Sequence, residues 1–289
     1  MRLSLSTGTL YTYPLRTVFR WARAAGFDGV ELNVNPEAIV RGGKGVRQLA
    51  EAEGVEIFSV HPTVVPLPGW WERRGGMDPT IRLAQEAGAS LVVMHTPRAE
   101  SLDEGEGLRF RTTIEAWQAR LAGSDPLLAI ENKAIRAEVQ RRYVLTPLER
   151  LRAFADRYDL GLVLDTTHAG TAHEDLLHAR QILDRRLVNV HLSDMGGSFP
   201  LATSPLVRRM LGEHRFPGSG ELLLADLLAD LAAARYAGPV TLEVSPFALR
   251  GWWPPAVRRR LAQAIEWLKR AIPQQPDPQA FPLPANAPA

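Results

Sequence analysis

One unit recurs along this chain: an amphipathic helical stretch, a short glycine-containing turn, then four to six aliphatic or β-branched residues. It reads Ala24-Ala25-Gly26-Phe27-Asp28-Gly29-Val30-Glu31-Leu32 and returns as Glu51-Ala52-Glu53-Gly54-Val55-Glu56-Ile57-Phe58. Further copies are Glu86-Ala87-Gly88-Ala89-Ser90-Leu91-Val92-Val93 and Arg235-Tyr236-Ala237-Gly238-Pro239-Val240-Thr241-Leu242. The glycine suits the left-handed residue that ends a helix, and an unbroken aliphatic run suits a parallel strand covered by helices. Eight such runs are read near residues 3–6, 29–32, 56–60, 91–95, 127–131, 160–165, 187–191 and 240–244. Helical periodicity falls after them, near 15–25, 46–53, 79–87, 106–122, 147–158, 175–184, 224–235 and 255–271. Alternation of this kind builds right-handed βαβ units. The class is α/β, and eight units predict a single (β/α)₈ barrel over residues 1–272, with an open doubly wound sheet as runner-up.

Local signals refine this picture. Thr146-Pro147-Leu148-Glu149 reads as a capped helix start, and Gly42-Gly43-Lys44-Gly45 as a flexible loop rather than a phosphate cradle, since no strand precedes it. Residues 273–289 are rich in Pro, Gln and Ala without an apolar period, so they read as a disordered tail or a surface strap. Truncating such a tail is expected to leave stability unchanged.

Composition removes several chemistries. The 289-residue chain has no cysteine, which excludes disulfides and thiolate sites and leaves any metal to nitrogen and oxygen ligands. The formal net charge is +2, and doublets such as Arg73-Arg74, Arg141-Arg142 and Arg208-Arg209 are scattered among carboxylates, which argues against a nucleic-acid partner. No apolar stretch reaches membrane-spanning length and Met1-Arg2-Leu3-Ser4 leads directly into a strand, so the expectation is a cytoplasmic protein without a membrane partner.

Against this ordinary background, polar residues gather where strands end. His61, His95, Glu131, Asp165, His168, His191 and Glu243 all close an aliphatic run, and His214 lies in the long loop before the last one. Buried imidazoles and carboxylates are costly unless paired, whereas the C-terminal strand ends of a barrel converge on one mouth. Glu131, Asp165, His191 and Glu243 would therefore surround one point. Three carboxylates and an imidazole suit Mn²⁺, Zn²⁺, Co²⁺ or Mg²⁺, and a cation would let the carboxylates ionise together. His61 and His95 could share Glu131 around a second ion; His168 and His214 could hold a third or bind substrate. Glu31 also ends a strand, where it could bind substrate or pair with a loop arginine. The pairs Trp70-Trp71 and Trp252-Trp253 fall in loops at the mouth, as substrate wall or as packing. His173 and His178 are read as structural.

The set resembles the xylose isomerase-like TIM barrels, which include sugar phosphate isomerases and epimerases, inosose dehydratases and endonuclease IV. The pieces that carry the likeness are Gly26–Leu32, Ser59-Val60-His61-Pro62, Ile130-Glu131-Asn132, Asp165-Thr166-Thr167-His168-Ala169, His191-Leu192-Ser193-Asp194, and His214 followed by Pro217-Gly218-Ser219-Gly220. The resemblance implies a single-metal site of Glu131, Asp165, His191 and Glu243, with the two glutamates as acid and base and His168 on a substrate oxygen. It further implies His61, His95, His168 and His214 as ligands of additional ions. One position departs: Gly212 stands where the endonuclease pattern has an aspartate, and the adjacent Glu213 is expected to point elsewhere. The implied activity is isomerisation or epimerisation of a small sugar or polyol with a divalent metal and no organic cofactor. A dehydratase on the same scaffold and a zinc phosphodiesterase acting on abasic DNA are the alternatives, and a homo-oligomer is compatible with all three.

Overall fold

The computed structural model describes residues 1–63, 67–70, 77–121, 123–197 and 204–273. Trp71, Arg73, Arg74 and the tail beyond Pro273 lie outside the described residues. The strands are β1 (Arg2–Ser6), β2 (Gly29–Asn33), β3 (Glu56–His61), β4 (Leu91–His95), β5 (Leu127–Glu131), β6 (Gly161–Asp165), β7 (Leu187–Leu192) and β8 (Pro239–Leu242). Each pairs in parallel with its neighbours in chain order, and β8 closes on β1, so the sheet is the eight-stranded barrel of a TIM fold. Outside it run α1 (Leu15–Ala25), α2 (Pro36–Glu53), α3 (Met77–Ala87), α4 (Gly105–Leu121), α5 (Leu148–Tyr158), α6 (Thr166–Ala172), α7 (Leu176–Leu183), α8 (Pro205–Gly212), α9 (Leu224–Ala233), α10 (Pro246–Leu249) and α11 (Pro254–Ala271).

The two-residue period of the strands divides the core in two. Leu5, Val30, Leu32, Val60, Val92, Ile130, Leu162, Leu164, Val190 and Leu242 belong to the large cluster between sheet and helices. A smaller cluster, Val93, Ala129 and Val163 with Val188 against it, forms a second body. It comes from alternate residues of the same strands, which face the barrel interior. Full burial of each valine, leucine or isoleucine among them contributes about 1.5–3 kcal/mol.

The structure departs from the sequence reading at several points. Gly42-Gly43-Lys44-Gly45 is not a flexible loop. It lies within α2, where Gly42 alone leaves helical geometry at φ 67° and kinks the helix. Gly43 faces α3 so closely that a β-carbon there would come 2.4 Å from the Leu83 carbonyl oxygen, so glycine marks a helix crossing. The glycine cap holds for Gly26, Gly54 and Gly88, all left-handed, but in the last copy Arg235 takes that conformation at φ 56° instead of Gly238. Thr146 does not cap α5, because its hydroxyl donates to the Gln140 carbonyl. Helices α6, α8 and α10 and the first half of α2 were not anticipated; the three separate helices are each eight residues or fewer, too short to show a period. Among the described residues no helix is long and apolar enough to cross a membrane.

Candidate metal centre

Four strands deliver the central group. Glu131 ends β5, Asp165 ends β6, His191 is the penultimate residue of β7, and Glu243 follows β8. One ligand atom from each lies within 4.8 Å of the others. His191 Nδ1 is 2.7 Å from Glu131 Oε1 and 2.8 Å from Glu243 Oε2. A ring nitrogen has one hydrogen to give, so it serves one carboxylate and leaves the other short. Ligands bonded at about 2.1 Å in right-angled positions around a cation stand roughly 3 Å apart, close to this spacing. Glu131 Oε2, Asp165 Oδ2 and Glu243 Oε2 are buried without a hydrogen-bond partner among the described residues. Orphaned carboxylate oxygens aimed at one another fit a divalent cation, which would satisfy all of them at once.

The ionisation of the metal-free group follows from the same closeness. Burial favours neutral His191, yet Glu31, Glu243 and Glu131 overcome it and hold the imidazole well above its usual range. Burial likewise pushes Glu131 and Glu243 up, but the charge of His168 and His191 keeps Glu131 well below the ordinary carboxylate range, and His191 brings Glu243 down to about 2. For Asp165 burial wins, and its carboxyl is raised. A proton on His191 thus stands in for part of the charge that a cation would bring.

Glu31 has a role that differs from both readings of its sequence position. It meets neither a loop arginine nor the open mouth. Fully buried, it takes hydrogen bonds on Oε2 from the Ser59 hydroxyl (2.7 Å), the Asn189 amide (3.2 Å) and His191 Nε2 (3.0 Å). With Nε2–H held there, Nδ1 is the nitrogen that faces Glu131 and Glu243, an arrangement that fixes the tautomer of metal-ligating histidines in general. Nothing in the sequence separates this role from others, because β2 and β7 come together only in the closed barrel.

The flanking histidines are oriented differently, by main-chain carbonyls. His61 Nδ1 is 2.9 Å from the Pro62 oxygen, His168 Nδ1 is 3.0 Å from the Asn132 oxygen, and His214 Nδ1 is 3.2 Å from the Glu243 oxygen. A carbonyl only accepts, so each Nδ1 donates to it and each Nε2 is left clear of that bond. Two further groups result: His61, His95 and Glu131, and Asp165, His168 and His214, each set within 4.8 Å. His61 and His95 meet edge to face at 4.9 Å, and His95 Nε2 lies 3.5 Å from Glu131 Oε2. His214 sits in left-handed geometry at φ 49°, a strained conformation for a histidine. Apart from Glu31, the histidines and carboxylates picked out at the strand ends are therefore brought to one mouth. His173 and His178 are exposed and outside the three groups, and Glu213 is engaged by Arg136 at 2.6 Å.

Two supporting features were hidden in the sequence. Asp165 Oδ1 caps α6 by accepting from the His168 amide at 2.6 Å, so one carboxylate both starts a helix and aims its second oxygen at the cluster. Asp194, in the His191-Leu192-Ser193-Asp194 run, accepts from the amides of Met195, Gly220 and Leu222 and so ties down the loop that carries His214.

Known proteins resemble this chain along most of its length. An uncharacterised protein of Mycobacterium tuberculosis is 30% identical over 270 residues, which are 86% of this chain and 91% of that one. The 3-dehydroshikimate dehydratase of Pseudomonas aeruginosa is 29% identical over 228 residues, 76% of this chain but only 34% of the dehydratase. Among solved structures, the E. coli 3-keto-D-glucoside 4-epimerase superposes with a TM-score of 0.65 at 17% identity, covering 93% of this chain and 99% of that one. D-allulose 3-epimerase from Methylomonas sp., in complex with D-allulose, gives 0.65 at 15% identity over 94% and 97%. At such identities the structural likeness speaks for the fold alone. The family model described as xylose isomerase-like TIM barrel, however, matches residues 19–271, and with the closed eight-stranded barrel this makes the chain a member of that family.

Proposed function

We propose that the chain is a divalent-metal-dependent isomerase or epimerase of a small sugar or polyol, working by removal of the proton beside a carbonyl. The observation that carries this reading is the meeting of Glu131 and Glu243 on one nitrogen of His191, with Glu131 Oε2 and Glu243 Oε2 lacking a hydrogen-bond partner among the described residues. Glu131, Asp165, His191 and Glu243 would hold the ion. Bound there, a divalent cation supplies Lewis-acid chemistry, acidifying the C–H next to a chelated carbonyl and stabilising the ene-diolate.

The chain's own groups then divide the proton work. One glutamate takes the proton from carbon, and the electron pair of that C–H bond moves to the carbonyl oxygen. The other glutamate returns a proton from the opposite face, which inverts the carbon. Glu243, about a quarter exposed, has access to a ligand arriving from solvent, whereas Glu131 is almost wholly buried at 2%. His168, only 13% exposed, would polarise a substrate oxygen by donating from a protonated Nε2. Incubation with candidate keto-sugars in D₂O should place deuterium on the carbon beside the carbonyl, and Glu131→Gln with Glu243→Gln should abolish it.

A second reading is favoured by the similarity to 3-dehydroshikimate dehydratase. It shares the first proton removal, after which a β-hydroxyl leaves as water in place of reprotonation. Accumulation of an unsaturated product absorbing in the ultraviolet, without an exchanged starting material, would decide for it. Hydrolysis of abasic DNA has less support. The three adjacent ligand groups suit several ions, but Gly212 replaces an aspartate and Glu213 is paired with Arg136. Strand cleavage of an abasic duplex with steep salt dependence would reverse that order.

A further inference from the structure

The loop after β5 reaches both histidine-bearing segments of the group formed by Asp165, His168 and His214. The Ile135 amide donates to the Thr171 hydroxyl at 2.9 Å, and that hydroxyl donates to the His168 carbonyl at 2.7 Å. The next residue, Arg136, meets Glu213: Oε2 lies 2.6 Å from Nη2 and 2.9 Å from Nε, and Oε1 lies 3.2 Å from Nε. Glu213 closes α8 and directly precedes His214. Two consecutive residues thus tie α6, which carries His168, to the segment that carries His214. Ion pairs in open solvent contribute little, but this one is sheltered. The Glu213 side chain is 14% exposed, and three contacts from one guanidinium make a charge-assisted, directional bond.

His214 needs such support. Its φ of 49° lies in the left-handed region that residues other than glycine mostly avoid, and a residue kept there must be held by its surroundings. After it the chain is pinned twice. Arg215 and Asp194 exchange main-chain hydrogen bonds at 2.7 and 3.0 Å, and the His214 carbonyl accepts from the Ser245 amide at 2.7 Å. Before it, the main chain of Gly212 and Glu213 bonds to Gly196 and Arg209, both within the connection from β7 to β8. The Arg136 guanidinium fastens this side to the loop of another strand. The imidazole itself hangs on long bonds, with Nδ1 3.2 Å from the Glu243 carbonyl oxygen and 3.2 Å from the Ser193 hydroxyl. Such bonds fade beyond about 3.2 Å, so a small backbone shift would release the ring from its place edge to face with His168, 5.7 Å away.

We propose that Arg136 is a positioning residue: through Glu213 it holds His214 in its left-handed conformation, so that His214 and His168 present a fixed pair of imidazoles to the substrate. The inference rests on the sugar-enolising reading and adds a residue to that site, but its geometry is tested without turnover. In metal-free protein carrying isotope-labelled histidine, the His214 Nδ1–H proton is followed by NMR. Its exchange with solvent should be about tenfold faster or more in Arg136→Ala and in Glu213→Ala, whereas that of His61, bonded to the Pro62 carbonyl, should not change. A mere loss of stability would move both. The double variant Arg136→Glu with Glu213→Arg should return close to the wild-type rate. Arg136→Lys, which keeps the charge but not the fork, gives the same reading in milder form if an alanine variant does not fold. In the deuterium assay these single variants should slow exchange about tenfold while Mn²⁺ affinity of the central four residues stays within a few-fold. An unmoved or undetectable His214 signal, a double variant no better than the singles, or undiminished deuterium exchange overturns the proposal. A His214 response without deuterium exchange in any keto-sugar would sink the enolising reading and leave the positioning standing; exchange with an unmoved His214 would do the reverse.

Discussion

The barrel interior has two unlike halves one layer below the metal groups. On β2, β3, β7 and β8 the inward positions are Glu31, Ser59, Asn189 and Thr241, all fully buried and linked by hydrogen bonds that end on His191. On β4, β5 and β6 the same layer is Val93, Ala129 and Val163, equally buried and wholly apolar. Both halves fill space. Only the polar one carries information upward, because a buried carboxylate must be paired and thereby fixes which nitrogen of His191 faces the mouth. The apolar half sets the volume under Glu131 and Asp165 and constrains them by packing alone. The difference separates what tunes the site from what merely supports it, and mutations can be chosen to act on one and spare the other.

The largest effect belongs to the layer above both halves. Glu131→Gln or Glu243→Gln should eliminate turnover and lower metal affinity by a hundredfold or more, with the melting temperature within a few degrees of wild type. Full metal content in both variants would remove these residues from the centre. One layer down, Glu31→Gln keeps a hydrogen-bond acceptor but loses the charge, and metal affinity should fall by about 10–100-fold, as for outer-shell partners of metal-binding histidines. Competition with a fluorescent chelator measures both, and an unchanged affinity would erase the claimed contrast between the halves.

Acidity acts through the same pair. In the metal-free protein the His191 imidazole is held protonated above its usual range despite its burial, by Glu31, Glu243 and Glu131. A cation at Nδ1 must displace that proton, so affinity should rise about tenfold per pH unit until the raised pKa is passed. Titrations in two buffers of different ionisation heat should show close to one proton released per ion. The sign for stability is opposite. Without metal, a raised imidazole pKa contributes stability that is complete below the unfolded value near 6.5 and is lost as pH rises through the folded one.

In the apolar half, Ala129→Leu should overpack the interior and cost about 1–3 kcal/mol in chemical denaturation while metal affinity stays within a few-fold. Loss of metal there would mean that the halves are mechanically coupled. The smallest change expected is at the edge of the cluster. His61→Ala combined with His95→Ala should leave the central ion bound and part of the activity, because His61 is oriented by the Pro62 carbonyl and His95 only approaches Glu131, at 3.5 Å, without belonging to the central four. Complete loss of metal by elemental analysis would point instead to a multinuclear cluster coupled through Glu131.

Much of this is legible in the sequence. Hydrophobic period and glycine turns placed the strands within two residues, because a strand covered by helices must be an aliphatic run and a helix must end before it. The polar residues that break those runs, from His61 to Glu243, stood out for the same reason. Less could be read where meaning depends on a neighbour distant in the chain. Gly43 looked like loop because its partner, Leu83, lies forty residues away across a helix crossing. Glu31 looked ambiguous because His191 is 160 residues downstream.

The eightfold alternation, the closed barrel it implies and the acidic and imidazole groups at its strand ends follow from the order of residues, since local periodicity and burial cost act on each segment alone. Only the tertiary structure decided which nitrogen each histidine presents and which carboxylate oxygens are left unpaired. Those are properties of side chains from different strands meeting at distances of about 3 Å, and no local rule specifies them.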